Sequence, residues 1–434
     1  MSCLFKGWPR DRIAVAAGGR GLGASGFAGR YYRLGSLEDR WIWPLSAVAR
    51  ESWKVSGPVA PGVEHGQSNA RSDSSNPARV SSRGWRPPAL GRRIGYGALR
   101  LTGANELLEG LDLSDSFTAW VNNYHPEVIY SQLASLGLIR LVGALAHETR
   151  VPVALHFMDD WPTTLCRGGL LAGYVRRKLT FELESLLNRA ALLMVISDDM
   201  ARAFAARYGH DFITFHNALD LREWAATRRA SWVPGRPFEI LYAGRIGSAN
   251  VASLLDVARA TEALAGDGVD LRFTVLTPDT THATAVRLDS FAHVDVLTAI
   301  PHREMPARLA KADLLVLPLD FGEQAQDFAR FSMPTKTVEY MVSGTPTIVY
   351  APAANAVSRY AAEERWGYVV GRRSGADLAA GLRLLAENAG ERERLARRSV
   401  ELALAYHDAR PVRDAFRAAL ESIARKSGPA SPGG

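Results

Sequence analysis

Apolar and polar positions along this chain alternate in two blocks, each a run of short apolar strands separated by amphipathic helices. In the first block residues 128–131 read as a strand, 133–148 as a helix and 151–156 as a second strand. Strand, helix, strand is the pattern of a parallel α/β sheet. Residues 170–190 continue it as a basic amphipathic helix, 191–196 as a fully apolar strand and 212–215 as a further short strand. Ser197 stands where the next helix needs a cap, because a short hydroxyl side chain can accept from a first-turn N–H.

The second block starts at Phe238. Residues 238–243 and 271–276 read as strands around a helix at 249–265; 294–297 and 314–317 read as strands around a helix at 304–312. Residues 331–350 then read as a loop, a helix over 335–343 and a buried strand over 347–350. Pro334 pushes the residue before it out of the α region, so the helix starts after it. Val338, Met341 and Val342 form an apolar side, and Gly344 is placed to end the helix in the left-handed conformation.

The pattern thins before residue 120. Residues 12–17 suit a strand, and Gly21-Leu-Gly-Ala-Ser-Gly26 after it matches G-x-G-x-x-G. No amphipathic helix follows that motif, and no acidic residue sits about 20 positions on to hold a ribose. It reads as a surface loop rather than a dinucleotide site. Residues 56–93 are dominated by Ser, Pro, Gly, Asn and Arg. Such a segment buries too little apolar surface to offset its ordering entropy, and a disordered insertion is expected there. Leu107, Leu108, Leu111 and Leu113 lead into a further ordered segment at 117–121.

With 434 residues, 47% hydrophobic and 22% charged, the chain can build two domains with substantial cores. Two cysteines, Cys3 and Cys166, make neither a disulfide scaffold nor a thiolate metal site. A reducing compartment follows. No apolar run reaches the roughly 18–20 residues that span a bilayer, and the start lacks the apolar core of a signal peptide. The expected location is cytoplasmic. Residues 1–100 hold sixteen Lys/Arg against six Asp/Glu, a balance of +10 within the overall +7, which leaves −3 for the rest. That asymmetry fits an anionic lipid surface, a phosphorylated acceptor or a solvated face. Nucleic acid is not expected, since no zinc-finger, RNA-recognition or helix-turn-helix signature accompanies the charge.

Candidate chemistry lies at strand ends and one helix start. Thr335, Lys336 and Glu339 are three and four positions apart and share a face. A cation and hydroxyl at a helix N-terminus suit a phosphate, and a carboxylate one turn on suits sugar hydroxyls. Gly244-Arg245 follows a strand, where a glycine-flanked guanidinium can meet phosphate oxygens; a surface salt bridge is the alternative. His156-Phe-Met-Asp-Asp160 follows another strand, and ligands of open parallel sheets bind outside carboxyl ends. His156, Asp159 and Asp160 could serve as base, acceptor anchor or pKa tuner, or as a buried histidine and a helix cap. No histidine or cysteine lies at metal-ligand spacing, so no metal is expected.

The chain resembles GT-B glycosyltransferases of the retaining, family 4-like type. Four landmarks carry this: Ile196-Ser-Asp-Asp-Met, His216-Asn-Ala-Leu-Asp220, Tyr242-Ala-Gly-Arg-Ile, and Pro334-x-Lys-x-x-Glu-Tyr followed by Ser-Gly-Thr-Pro. The resemblance covers most of residues 125–420. It implies two Rossmann-like α/β domains facing a cleft, one at 1–222 on the acceptor side and one at 223–409 on the donor side. A terminal helix at 410–426 would pack back on the first domain, ahead of a disordered tail at 427–434. Glu339 would bind the donor ribose, Arg245 would stabilise the departing diphosphate, and Gly244, Ser332, Thr335 and Lys336 would line the phosphates. His156 would lie near the transferred sugar, with Asp159 or Asp160 beside the acceptor.

The implied activity is a metal-independent, retaining hexosyltransferase, moving sugar from a nucleotide-sugar co-substrate to a glycan or lipid-linked acceptor in cell-surface polysaccharide synthesis. No cofactor is implied, and the location is cytoplasmic or peripheral at the inner face of a membrane. Three departures separate the chain from the pattern. Phe331 stands where a second glutamate is expected, with Glu323 and Asp327 nearby; Asn250 and Val251 stand where a lysine is expected, and Lys336 would supply that charge. The chain starts at what looks like a helix, residues 4–9, instead of a strand and glycine-rich loop, which implies an upstream start or a degenerate protein. The alternative function is a non-catalytic GT-B-like nucleotide- or glycan-binding protein.

Overall fold

The computed structural model describes residues 4–18, 26–41, 55–60, 109–165, 169–323, 330–331 and 333–427. The early elements are β1 (Ala14–Ala17), β2 (Arg30–Arg33), β3 (Asp39–Trp41), β4 (Gly57–Val59), β5 (Glu109–Leu111), α1 (Asp115–Tyr124), β6 (Ile129–Ser131), α2 (Leu136–Thr149) and β7 (Val153–Phe157). Next come α3 (Trp161–Thr164), α4 (Ala172–Leu187), β8 (Leu192–Val195), α5 (Asp198–Tyr208), β9 (Ile213–Thr214) and α6 (Arg222–Ala225). The remainder is β10 (Phe238–Ala243), α7 (Val251–Gly266), β11 (Leu271–Thr277), α8 (Ala283–Leu288), β12 (Val294–Thr298), α9 (Met305–Lys311), β13 (Leu314–Pro318) and α10 (Lys336–Ser343). It ends with β14 (Thr347–Tyr350), α11 (Ala356–Glu363), β15 (Tyr368–Val370), α12 (Gly375–Glu387), α13 (Ala389–Tyr406) and α14 (Ala409–Ser427).

Two compact units divide the chain: residues 1–156, 165–193 and 418–434 in one, and 157–164 with 194–417 in the other. In the first unit, β1 pairs in parallel with β2, β2 pairs antiparallel with β4, β3 with β5, and β6 runs parallel to β7. Tyr32, Phe117, Val121, Leu141 and Leu145 pack together beneath these strands. Glu38, fully buried among them, accepts from Tyr32 Oη (2.9 Å), Gly35 N (2.9 Å), Ser114 Oγ (2.6 Å) and Ser56 Oγ (2.5 Å). Burial alone would raise its pKa; these hydrogen bonds overcome that and hold the carboxyl below its ordinary value.

Two sequence expectations change here. Residues 4–8 form turns and Arg10–Arg12 a 3-10 helix, not the helix expected at 4–9. Gly7 takes φ +92°, a helix-breaking value, and Pro9 follows at once. Gly57–Val59, inside the segment expected to be disordered, is strand β4; residues 61–108 lie outside the described residues, as do residues 21–25 of the glycine motif.

The second unit carries a six-stranded, all-parallel sheet in the order β12-β11-β10-β13-β14-β15. Counted along the chain this is 3-2-1-4-5-6, the doubly wound order whose ligand crevice opens at the carboxyl ends of strands 1 and 4. The two faces of β10 show why its inner residues are apolar. Phe238, Ile240 and Tyr242 face one core with α7 and α12, while Leu241 and Ala243 face the other with α10 and α13. The switch point therefore lies just beyond Ala243 and Pro318.

Candidate donor site at the switch point

The loop after β10 is held by the end of its own strand. Tyr242, fully buried, donates its hydroxyl to Arg245 O (2.6 Å) and accepts from Asn250 Nδ2 (2.8 Å) and Lys336 Nζ (2.9 Å). Burial pushes the phenol pKa well up, so the proton that Arg245 O accepts stays in place. Asn250 also accepts from Gly247 N (3.0 Å) and donates to Arg245 O (3.1 Å). Asn250 thus pins the loop from the position where the sequence pattern expects a lysine.

The charge comes from α10. Lys336 Nζ lies 4.1 Å from the Tyr242 ring centroid, and a Cβ on Gly244 would meet it at 2.3 Å. Gly244 holds φ +153°, a backbone conformation that side-chain-bearing residues rarely adopt. Desolvation lowers the Lys336 pKa from 10.5 to about 8, against the opposing field of Glu339. Arg245, with 81% of its side chain exposed, reaches among the described residues one loose partner, Asp279 Oδ1 at 3.4 Å. Glu339 is half-buried one turn into α10. Desolvation raises its pKa, opposed by His302 and Lys336, and among the described residues no hydrogen-bond donor reaches its carboxylate.

The helix is fixed at both ends. Tyr340 Oη accepts from Ala243 N (3.0 Å), tying α10 to β10. Gly344 closes the helix at φ +74°, as expected from the sequence, and its Cβ position lies 3.0 Å from Arg229 O. Arg229 N donates to Ser343 O (2.8 Å) and Trp232 Nε1 to Gly344 O (2.9 Å), satisfying carbonyls the helix leaves open. Thr335 occupies the N-cap with no side-chain cap bond and an exposed side chain. The neighbouring N-terminus of α7 is different: Asp320, beyond β13, accepts from Ala252 N (3.1 Å) and Ser253 N (2.7 Å). With those donors already on a carboxylate, the start of α7 is closed by its own unit, while Lys336 and Arg245 stand at the switch point.

Phe331 is buried, and its carbonyl accepts from Ser197 Oγ (3.2 Å). Glu323 is exposed; Ser332 and Asp327 lie outside the described residues.

Residues 237–388 match the family model for glycosyl transferases group 1. That segment is similar to group 1 glycosyl transferases, and the chain takes a GT-B fold. Among solved structures, sucrose-phosphate synthase from Thermosynechococcus elongatus is similar at 13% identity and TM-score 0.53, covering 72% of this chain and 77% of that one. HepE of Anabaena, solved with UDP-glucose, is similar at 16% identity and TM-score 0.52, covering 71% and 82%. Trehalose-6-phosphate synthase from Burkholderia multivorans is similar at 13% identity and TM-score 0.51, covering 79% of each. No curated protein matches the sequence.

Within the matched segment, Gly244, Arg245, Lys336 and Glu339 come to one strand end. Tyr242 and Asn250 entered the sequence reading only as part of a landmark and as a departure from it, and Asp320 not at all; the bracing role of each comes from the structure. His156, at the end of β7 in the first unit, is buried with Nδ1 2.9 Å from Tyr130 Oη, which itself accepts from Gln132 Nε2 (3.1 Å). In the second unit Asp159 Oδ1 accepts from Trp161 N (3.1 Å), and its pKa is raised by burial. Asp160 is engaged through both oxygens by Arg207, at 2.7 and 2.9 Å. Among the described residues there is no group of three or more His, Cys, Asp and Glu that could hold a metal ion, and no helix long and apolar enough to cross a membrane.

Proposed function

We propose that this glycosyltransferase is a retaining hexosyltransferase that binds a nucleoside diphosphate sugar at the β10–β13 switch point and transfers the sugar to a glycan or lipid-linked acceptor for a cell-surface polysaccharide. The observation that carries the donor reading is the Lys336 ammonium lodged against Gly244 beside the exposed Arg245. Two preorganised cations at the place where a diphosphate departs stabilise the charge that develops there. With that charge supplied by side chains, we propose that the reaction needs no divalent ion and no cofactor. Glu339, free of other donors and one turn from Lys336, takes the ribose hydroxyls; Ser332 and Thr335 complete the phosphate pocket. His156 is assigned to the transferred sugar and Asp159 to the acceptor, with Asp160 holding Arg207. The UDP-glucose bound by HepE makes a uridine diphosphate the first donor to test.

Buried Phe331, standing where a sugar-binding glutamate is expected, favours a second reading in which the nucleotide binds without turnover. Thermal unfolding with UDP, GDP, ADP and dTDP, for wild type and Glu339→Ala, tests both. One nucleotide stabilises wild type, and Glu339→Ala loses most of that shift; if no nucleotide shifts unfolding, the donor site is refuted. Nucleotide binding without sugar release from any donor across a panel of acceptors selects the second reading.

A further inference from the structure

Helix α4 in the first unit presents its apolar residues on the wrong side for a wholly solvated helix. Val175, Leu179, Leu183, Leu186 and Leu187 are buried. On the opposite side Leu170, in the turn before the helix, is 93% exposed, Phe181 73% and Tyr174 53%. Leu170, Tyr174, Arg177, Lys178 and Phe181 stand at positions i, i+4, i+7, i+8 and i+11, a single stripe along the helix. Arg176 and Arg177 line a shallow groove with Gly173, Thr180, Phe181 and Glu184 on the same surface. Of the carboxylates on α4, Glu182 is taken by Arg140 at 2.7 and 2.8 Å, which leaves Glu184 against Arg176, Arg177 and Lys178.

We infer that this ridge is a docking surface for an anionic lipid bilayer, with Leu170, Tyr174 and Phe181 entering the headgroup layer and Arg176, Arg177 and Lys178 meeting its phosphates. The chemistry selects a bilayer over a protein. Cations stand between the apolar residues along the ridge, whereas the buried centre of a protein interface is depleted of charge. Taking ~200 Å² for each large apolar side chain, the exposed ridge offers roughly 440 Å² of apolar surface. A basic helix lying in the interface plane with aromatic and aliphatic tips needs no more than this. The inference does not use the donor-site reading: nucleotide-induced stabilisation reports on α10, vesicle binding on α4.

The test is co-sedimentation of the full chain with vesicles of phosphatidylcholine alone and of phosphatidylcholine mixed equally with phosphatidylglycerol. Binding to the anionic vesicles alone is expected, falling as salt rises. Arg176→Ala/Arg177→Ala/Lys178→Ala should weaken it roughly a hundredfold, from about fivefold per cation near the surface. Leu170→Ser/Phe181→Ser should weaken it at least ~tenfold while the cations remain. All five positions face solvent or its edge, and far-UV circular dichroism checks that the variants stay folded. No vesicle binding, equal binding to both vesicles, or binding that survives both sets of substitutions overturns the inference and turns the ridge over to a protein partner.

Discussion

Lys336→Met should make the nucleotide-free protein more stable and its nucleotide response weaker. In the folded chain the ammonium is desolvated beside Tyr242 and its pKa falls from 10.5 to about 8. Each pKa unit corresponds to ~1.4 kcal/mol, so keeping the charge at pH 7 costs the folded state ~3 kcal/mol relative to the unfolded chain. The sign follows from proton counts: between pH 8 and 10.5 the unfolded chain binds the extra proton, so stability rises with pH across that window. Methionine fills similar volume with no charge, and the lost bond to Tyr242 returns ~1 kcal/mol of the gain; a net gain of ~1–2 kcal/mol is expected. A diphosphate contact by an ammonium is worth ~1.5–3 kcal/mol, so affinity should fall about tenfold to a hundredfold. At a concentration of 100 Kd for wild type, stabilisation of ~2.7 kcal/mol would drop to ~1.4 kcal/mol or below. Urea unfolding followed by the fluorescence of the ten tryptophans, with and without nucleotide at pH 7 and pH 9.5, measures all of this. A variant that is less stable than wild type without nucleotide, or that keeps the full nucleotide response, refutes the reasoning.

Two other outcomes are open to direct measurement. Asp160→Asn leaves Arg207 facing a neutral amide in a largely buried pair, so it should cost ~3 kcal/mol in urea; a loss of turnover at unchanged stability would instead place Asp160 in the chemistry. His407 lies buried with its pKa lowered to about 4 by desolvation and by His216, and His216 is lowered by burial as well. Its Nε2 is 3.0 Å from Tyr360 Oη and its Nδ1 3.1 Å from Asn217 O, so the neutral ring is held from both sides. The unfolded chain takes up protons first, so stability should be full above pH ~6.5 and fall by ~3 kcal/mol down to pH ~4. His407→Gln should flatten that limb, and an unchanged pH dependence would show that the pair does not titrate as argued.

The elements that were legible in the sequence are those whose own pattern suffices. Residues 238–243 and 347–350 matched β10 and β14 to the residue, because strands buried on both faces read as short, mostly apolar runs. Ser197 caps α5 through Met200 N as read, and Gly344 ends α10. The short strands β2 to β5 were not legible. Tyr31 and Tyr32 in Arg30–Arg33 are both buried, which hides the period-two signal, and three-residue strands are defined only by the partners they find.

By itself, then, the sequence determined the strands and helices of the second unit's sheet, the glycine that ends α10, and that Lys336 and Glu339 share one helix face, since these depend on neighbours a few residues away. The tertiary structure decided the strand order and what it brings together. Lys336 meets Tyr242 across 94 residues of chain, Asn250 becomes a brace, Asp320 fills the start of α7, and Asp160 is taken by Arg207. A partner's identity and a group's desolvation arise only when distant segments pack, and those two quantities set whether a charged side chain waits for a ligand or is already spent.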